Sequence, residues 1–237
     1  MKKTSSIVLS LVCLTGAANA NLLSNGSFES DPIGTGLTLS APGGGIDTTT
    51  FTGWRFFSVG APAIDFFLGD IQDASALAPA GTPGDHVFRF YADRSPAGIA
   101  AGGIDYALDR DGSKVAVAFG TSYSFTCDAV LYGSSGGGSP FLVTLAEYDS
   151  GNSSLGNQTV FSPALGATWQ NYSFGWTPLN SLTTQINIAF RPVTAEGFIN
   201  HIGLNNVEFN AVPEPGTLAL GLMSGLGLIA MLRRRRA

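Results

Sequence analysis

Between Asn21 and Asn210, apolar and polar residues alternate with a period of two. The clearest run is Tyr123, Phe125, Cys127, Ala129 and Leu131, with Ser122, Ser124, Thr126 and Asp128 interleaved. Successive side chains of a strand point to opposite faces, so this spacing predicts a strand with one buried face. A helix would show its apolar residues three and four apart. The alternation recurs at Tyr172, Phe174 and Trp176, at Ile186, Ile188 and Phe190, and at Val207 and Phe209. Further strands are expected at 22–28, 49–57, 64–68, 86–91, 114–119, 141–148 and 158–161, with one or two helical turns at 71–78 and another at 104–108. Glycine, proline, serine and asparagine separate them, at 42–45, 79–84, 134–140 and 150–154. About ten short strands with turn signals between them predict an all-β domain, a two-sheet β-sandwich or jelly roll.

The two ends break this pattern. Residues 1–20 join Lys2 and Lys3 to an apolar stretch and finish on Ala18-Asn19-Ala20. That is the build of a secretory signal peptide, a signal helix removed after export. At the other end, 216–232 is an uncharged, mostly apolar run that as a helix would be about 25 Å long, just enough to cross a hydrocarbon core of about 30 Å. Arg233 to Arg236 follow at once. Basic flanks stay on the cytoplasmic side, so a transmembrane helix here would leave the preceding body outside. The organisation read from the chain is signal peptide 1–20, β-sandwich 21–210, linker 211–215, transmembrane helix 216–232 and basic tail 233–237.

Charge follows the same division. Six of the twelve basic residues lie in the two ends, but only Glu214 of the seventeen acidic ones, so the body carries about minus ten. A phosphate backbone is bound by clustered Lys and Arg, so nucleic acid is not an expected partner. Cys127 is the single cysteine between the ends, which rules out a disulfide within the body. Its place in the alternation predicts a buried, inert thiol.

The order Pro213-Glu214-Pro215, short apolar helix, Arg233-Arg234-Arg235-Arg236 closely resembles the PEP-CTERM sorting signal of Gram-negative bacteria. The resemblance implies Sec export, a transient inner-membrane anchor, and recognition by an exosortase, a membrane protease or transpeptidase that cuts near Pro-Glu-Pro. The product would reach the cell surface or extracellular matrix. The alternative is a permanent single-pass anchor. Prolines at 213 and 215 hold the backbone extended, presenting Glu214 beside the membrane.

Five segments resemble, in order, the galactose-binding-like jelly roll of many carbohydrate-binding modules: 21–29, Gly53-Trp54, 123–129, the Trp-x-x-Tyr-x-Phe strand from Trp169 to Phe174, and 199–209. The resemblance implies a structural Ca2+ with Glu29 and Asn205 as candidate ligands, Asn205 standing where the family carries aspartate. Calcium takes six to eight oxygens, so an amide oxygen in place of a carboxylate weakens such a site without forbidding it. It also implies exopolysaccharide as a partner, in a biofilm. Sugar binding needs flat aromatic faces with amides and charged groups nearby. Trp54, Tyr132 and Tyr148 are the candidate platforms, with Arg55, Arg89 and Asp93 as polar neighbours. Asp109-Arg110-Asp111-Gly112-Ser113 starts like a calcium loop but has Gly120 where a bidentate Glu belongs, and reads as a turn with Gly112 at positive φ. Only His86 and His201 offer imidazoles, in no zinc spacing or nucleophile motif. A non-enzymatic surface protein is therefore expected. The competing readings are a purely structural surface protein and a secreted glycan-processing enzyme.

Overall fold

The computed structural model describes residues 21–39, 46–59, 66–77, 84–93, 105–135, 141–192 and 199–213. The segments 1–20, 216–232 and 233–237, with Glu214, Pro215 and Arg233 to Arg236, lie outside the described residues, as do most of the turn segments 42–45, 79–84 and 134–140. Among the described residues no helix is long and apolar enough to cross a membrane.

Among the described residues thirteen strands form two antiparallel sheets that face each other as a β-sandwich. They are β1 (Gly36–Leu39), β2 (Ile46–Phe51), β3 (Trp54–Val59), β4 (Phe66–Asp73), β5 (His86–Asp93), β6 (Asp105–Asp109), β7 (Val115–Ala116), β8 (Tyr123–Ser135), β9 (Phe141–Tyr148), β10 (Ser154–Phe161), β11 (Gln170–Trp176), β12 (Gln185–Pro192) and β13 (Ile199–Ala211). The first sheet runs β1-β4-β5-β13-β8-β11 and the second β10-β9-β12-β6-β3-β2, with β7 added beside β12. The period-two pattern states which face of each strand is wet. On β9, Phe141, Val143, Leu145 and Glu147 are buried and the residues between them are partly exposed.

The core between the sheets is largely aromatic. Phe88 meets Phe90 at 4.7 Å, Phe51 at 5.3 Å, Phe56 at 5.6 Å and Phe28 at 5.9 Å between ring centroids. Tilted and edge-on rings add to the area they bury, so this lattice stands in for the missing disulfide. One position had to give way to it: a Cβ on Gly69 of β4 would lie 2.6 Å from the Phe56 ring. Cys127 is buried, and burial, with a further contribution from the Asp128 carboxylate, pushes its thiol up to about 12.

Six local expectations are corrected or narrowed. Segment 22–28 forms turns instead of a strand. Leu23 and Phe28 are buried, but Asn25 and Phe28 take φ of 51° and 59°, and the Asn25 carbonyl accepts the Phe28 amide. Segment 49–57 is two strands joined at Thr52-Gly53, with Gly53 at φ 77°. Residues 105–108 of the segment expected as a helical turn lie in strand β6, because pairing with β3 outweighs local propensity, and 114–119 shrinks to the two residues of β7. Asp111–Ser113 is a 3-10 turn in which Gly112 does not take positive φ. The helical turns expected at 71–78 reduce to α1 (Ala74–Leu77).

Candidate functional site

The outer face of the second sheet holds a cavity of about 180 Å³. It forms where alternation puts small residues at the centre of a broad sheet and long ones around them. On β12, Ile186, Ile188 and Phe190 fill the core, which turns Asn187, Ala189 and Arg191 outward. On β9 the outward residues at the cavity are Thr144, Ala146 and Tyr148, and β10 adds Asn157. Register aligns them: Ala189 lies opposite Thr144 on one side and Asp109 on the other, while Ala146 lies between Asn187 and Asn157.

The polar side of this groove is a connected network. Arg55 Nε donates to Asp109 Oδ1 at 3.0 Å and its Nη2 to Oδ2 at 2.7 Å. Asn187 Nδ2 donates to the same Oδ2 at 3.4 Å, and Asn187 Oδ1 accepts the Arg110 amide at 2.8 Å. Asp109 and Asn187 are therefore fixed before any ligand arrives, and the fork holds the guanidinium in one plane. At the rim, the Lys114 ammonium stands 4.6 Å from the centre of the Tyr148 ring. Charge, amide and aromatic groups meet here on rigid strands.

The other predicted platforms sit elsewhere. Trp54 is a core residue, only 1% exposed, with Phe28 and Phe190 each 5.7 Å away. Its Nε1 donates to the Asn25 carbonyl at 3.0 Å, and the Arg110 guanidinium lies 4.8 Å from its ring centre. Neither face is left for a sugar. Arg110 is buried as well, held by the Ser24 carbonyl at 2.9 Å and hydroxyl at 3.0 Å, and burial lowers its pKa to about 10.

Tyr132 lies on the outer face of the first sheet, half-buried under a small second core of Ala74, Leu77, Val87 and Trp169. Burial drives its hydroxyl well above the usual tyrosine value, opposed by the Arg89 charge. Nearby, Arg89 Nε and Nη2 bond Asp70 at 2.7 and 2.6 Å, and Tyr91 stacks on His201 at 3.9 Å. This face is a packed one. Trp176 is core, as its phase with Tyr172 and Phe174 implied. The Asp93 side chain lies outside what is described.

Glu29 and Asn205, the candidate calcium ligands, are each engaged with the backbone. Glu29 Oε1 accepts the His86 amide at 2.7 Å and its Oε2 lies 3.8 Å from His86 Nδ1. Asn205 Oδ1 accepts the amide of Asn206 at 2.8 Å. Among the described residues no group of three His, Cys, Asp or Glu side chains is placed to hold a metal ion. A hard cation needs several converging oxygens, and these two are each engaged with a backbone amide.

Strand phase could have found the groove, because Asn187 and Arg191 interleave with Ile186, Ile188 and Phe190. What no sequence pattern states is which strands lie side by side, and Arg55 and Asp109 are far apart in the chain.

The last described residues, Val212 and Pro213, lead directly into the proline-flanked glutamate, apolar run and arginine cluster. Residues 211–236 match the PEP-CTERM protein-sorting motif. This motif marks an exported surface protein and implies that it is an exosortase substrate. No curated protein matches the chain in sequence.

Among solved structures, the Stig cyclase Fisc from Fischerella sp. TAU, in complex with an indole compound, is similar at 16% identity and a TM-score of 0.50, covering 81% of this chain and 96% of that one. The CBM22-1 xylan-binding domain from Paenibacillus barcinonensis Xyn10C is 11% identical with a TM-score of 0.46, covering 82% and 96%. The enzymatically active domain of bacteriophage CBA120 tailspike protein 4 is 13% identical with a TM-score of 0.46; the match covers 81% of this chain and only 21% of that longer one. At these identities the likeness is one of fold.

Proposed function

We propose that this exported surface domain binds exopolysaccharide along the outer face of its second sheet, as a non-enzymatic component of a biofilm or extracellular matrix. The observation that carries the reading is the fixed Arg55–Asp109–Asn187 network in a groove that also presents Asn157 and the Tyr148 ring. Sugar hydroxyls both donate and accept, so the Arg55 guanidinium, positioned from below by buried Asp109 and Asn187, and the exposed Asn157 amide answer both needs, and the Tyr148 ring covers the apolar side of a pyranose.

The export route belongs to the same proposal: Sec translocation, removal of 1–20, a transient inner-membrane anchor at 216–232, exosortase processing near Glu214, and delivery to the surface of a Gram-negative bacterium. Retention of the exported protein on immobilised native exopolysaccharide tests the binding. Tyr148→Ala with Asn157→Ala should abolish retention while leaving the melting temperature unchanged. Retention equal to that of the parent would sink the groove assignment, and failure of the parent to bind would favour a purely structural protein. Turnover of the polymer, lost on one carboxylate substitution, would favour a glycan-processing enzyme.

A further inference from the structure

The end of the sandwich from which the C-terminal segment leaves has its own surface. The Val212 amide donates to the Ser122 carbonyl at 2.8 Å, tying the exit point to the loop 117–122. That loop touches the loop 177–184: the Val117 amide donates to the Thr184 carbonyl at 3.0 Å, and the Ser122 and Thr177 hydroxyls are 3.3 Å apart. Exit point and loops thus form one contiguous tip. Its apolar side chains are turned to solvent, with Leu179 76%, Leu182 62% and Phe119 54% exposed and Val212 beside them.

This exposure is built in. Glu147 of β9 is buried and accepts the amides of Leu179 at 3.1 Å and Asn180 at 3.2 Å as well as the Thr183 hydroxyl. The Leu182 amide donates to Asn180 Oδ1 at 2.9 Å. A carboxylate that organises a loop from below leaves its leucines nowhere to fold but outward. Both loops also contain no charged residue, in a body that carries about minus ten. In the adjoining hairpin, Asp149 turns its carboxylate onto the amides of Gly151 and Ser153.

The sequence says what this tip faces. Only Glu214 and Pro215 separate Pro213 from Gly216, where the apolar run begins, three peptide steps with a reach of about 10 Å when extended. The headgroup layer of one leaflet is itself about 5 to 8 Å thick. A sandwich tethered that closely cannot stand clear of the bilayer. We propose that Phe119, Leu179, Leu182 and Val212 rest on the lipid surface while the C-terminal segment is inserted, orienting the domain upright on the membrane. Uncharged loops with a few large apolar side chains suit the interface, where acidic ones would be repelled by anionic lipid. The inference rests on the membrane-anchor reading of 216–232.

The full chain with Cys13→Ser, in vesicles of phosphatidylethanolamine and phosphatidylglycerol carrying a quencher at the headgroup, provides the test. A polarity-sensitive dye is placed at Leu179→Cys, at Phe119→Cys, at Ala76→Cys in α1, or at Ser224→Cys inside the apolar run; Cys127, being buried, stays unlabelled. Dye at 179 and 119 should shift to shorter wavelength and lose most of its emission, with 76 unaffected. A quenched label at 224 with unquenched labels at 179 and 119 overturns the docking alone. Blue-shifted but unquenched loop labels overturn it in favour of a second copy of the chain covering the tip. An unquenched label at 224 removes the anchor, and the docking with it.

Discussion

Arg55 and Asp109 occupy directly opposed positions on β3 and β6 and are joined by two parallel hydrogen bonds, with the carboxylate buried and the guanidinium partly in water. Removing one partner strands the other. Arg55→Ala is expected to cost about 2 kcal/mol, below the range for a fully buried pair because Arg55 keeps part of its hydration. Arg55→Lys should recover little, since an ammonium cannot make the fork. Urea midpoints of the two variants check this.

Trp54→Ala should lower stability by about 3 to 5 kcal/mol, the range for emptying a large buried aromatic. It also frees the Asn25 carbonyl that organises the first turns. Any loss of ligand retention in this variant should follow its loss of fold, measured by circular dichroism at the same temperature.

Gly69→Ala forces a methyl group onto the Phe56 ring, which is fully buried and cannot swing away. The expected cost is about 1 to 3 kcal/mol, as for overpacking elsewhere. Phe56→Leu in the same chain should restore part of it, and a thermal denaturation series would show the coupling. Additive losses would count against the contact.

Cys127 gives the domain an alkaline limit. Its thiol ionises at about 12 when folded and near 9.0 when unfolded. The folded pKa is the higher one, so this contribution is whole below pH 9 and fades as pH rises towards 12. At pH 10 the loss is on the order of 1 kcal/mol. Cys127→Ala should flatten the fall in stability between pH 8 and 10.5, and the native protein should react with a thiol reagent only as fast as it opens.

Replacing Pro213 and Glu214 together should trap the full-length precursor in the membrane fraction of a cell that processes such tails. The mass of the mature C-terminus, measured on the parent, should end near residue 214. Release of the variant at the parental rate would argue for cleavage elsewhere.

Much of this fold was legible because a sandwich writes its burial at period two. β9 has the span its alternation predicts, and β5, β11 and β12 follow theirs to within a few residues. The turns at 22–28 were not legible, since buried Leu23 and Phe28 mimic a strand whose backbone is in fact held by Asn25 hydrogen bonds. Tyr148 was visible as a candidate from its place at a strand end, whereas Trp54 was misplaced. Having Arg55 as neighbour says nothing about which face the indole takes, and phase with Phe56 puts it inside. The Arg55–Asp109–Asn187 network needed three strands brought together, a long-range fact with no local trace. The sorting motif needed no fold at all, because it is read as a linear peptide.

The strand that leads to the tail has a mechanical meaning. β13 lies in the middle of the first sheet, paired with β5 on one side and β8 on the other, and its ladder bonds run across the strand. Tension applied through Pro213 would load those bonds together in shear instead of peeling them in turn. Asn21 reinforces the same strand, accepting the Phe209 amide and donating to the Val207 carbonyl. A pull on the C-terminal end would thus be met by a strand held on both sides, as suits an exported surface protein.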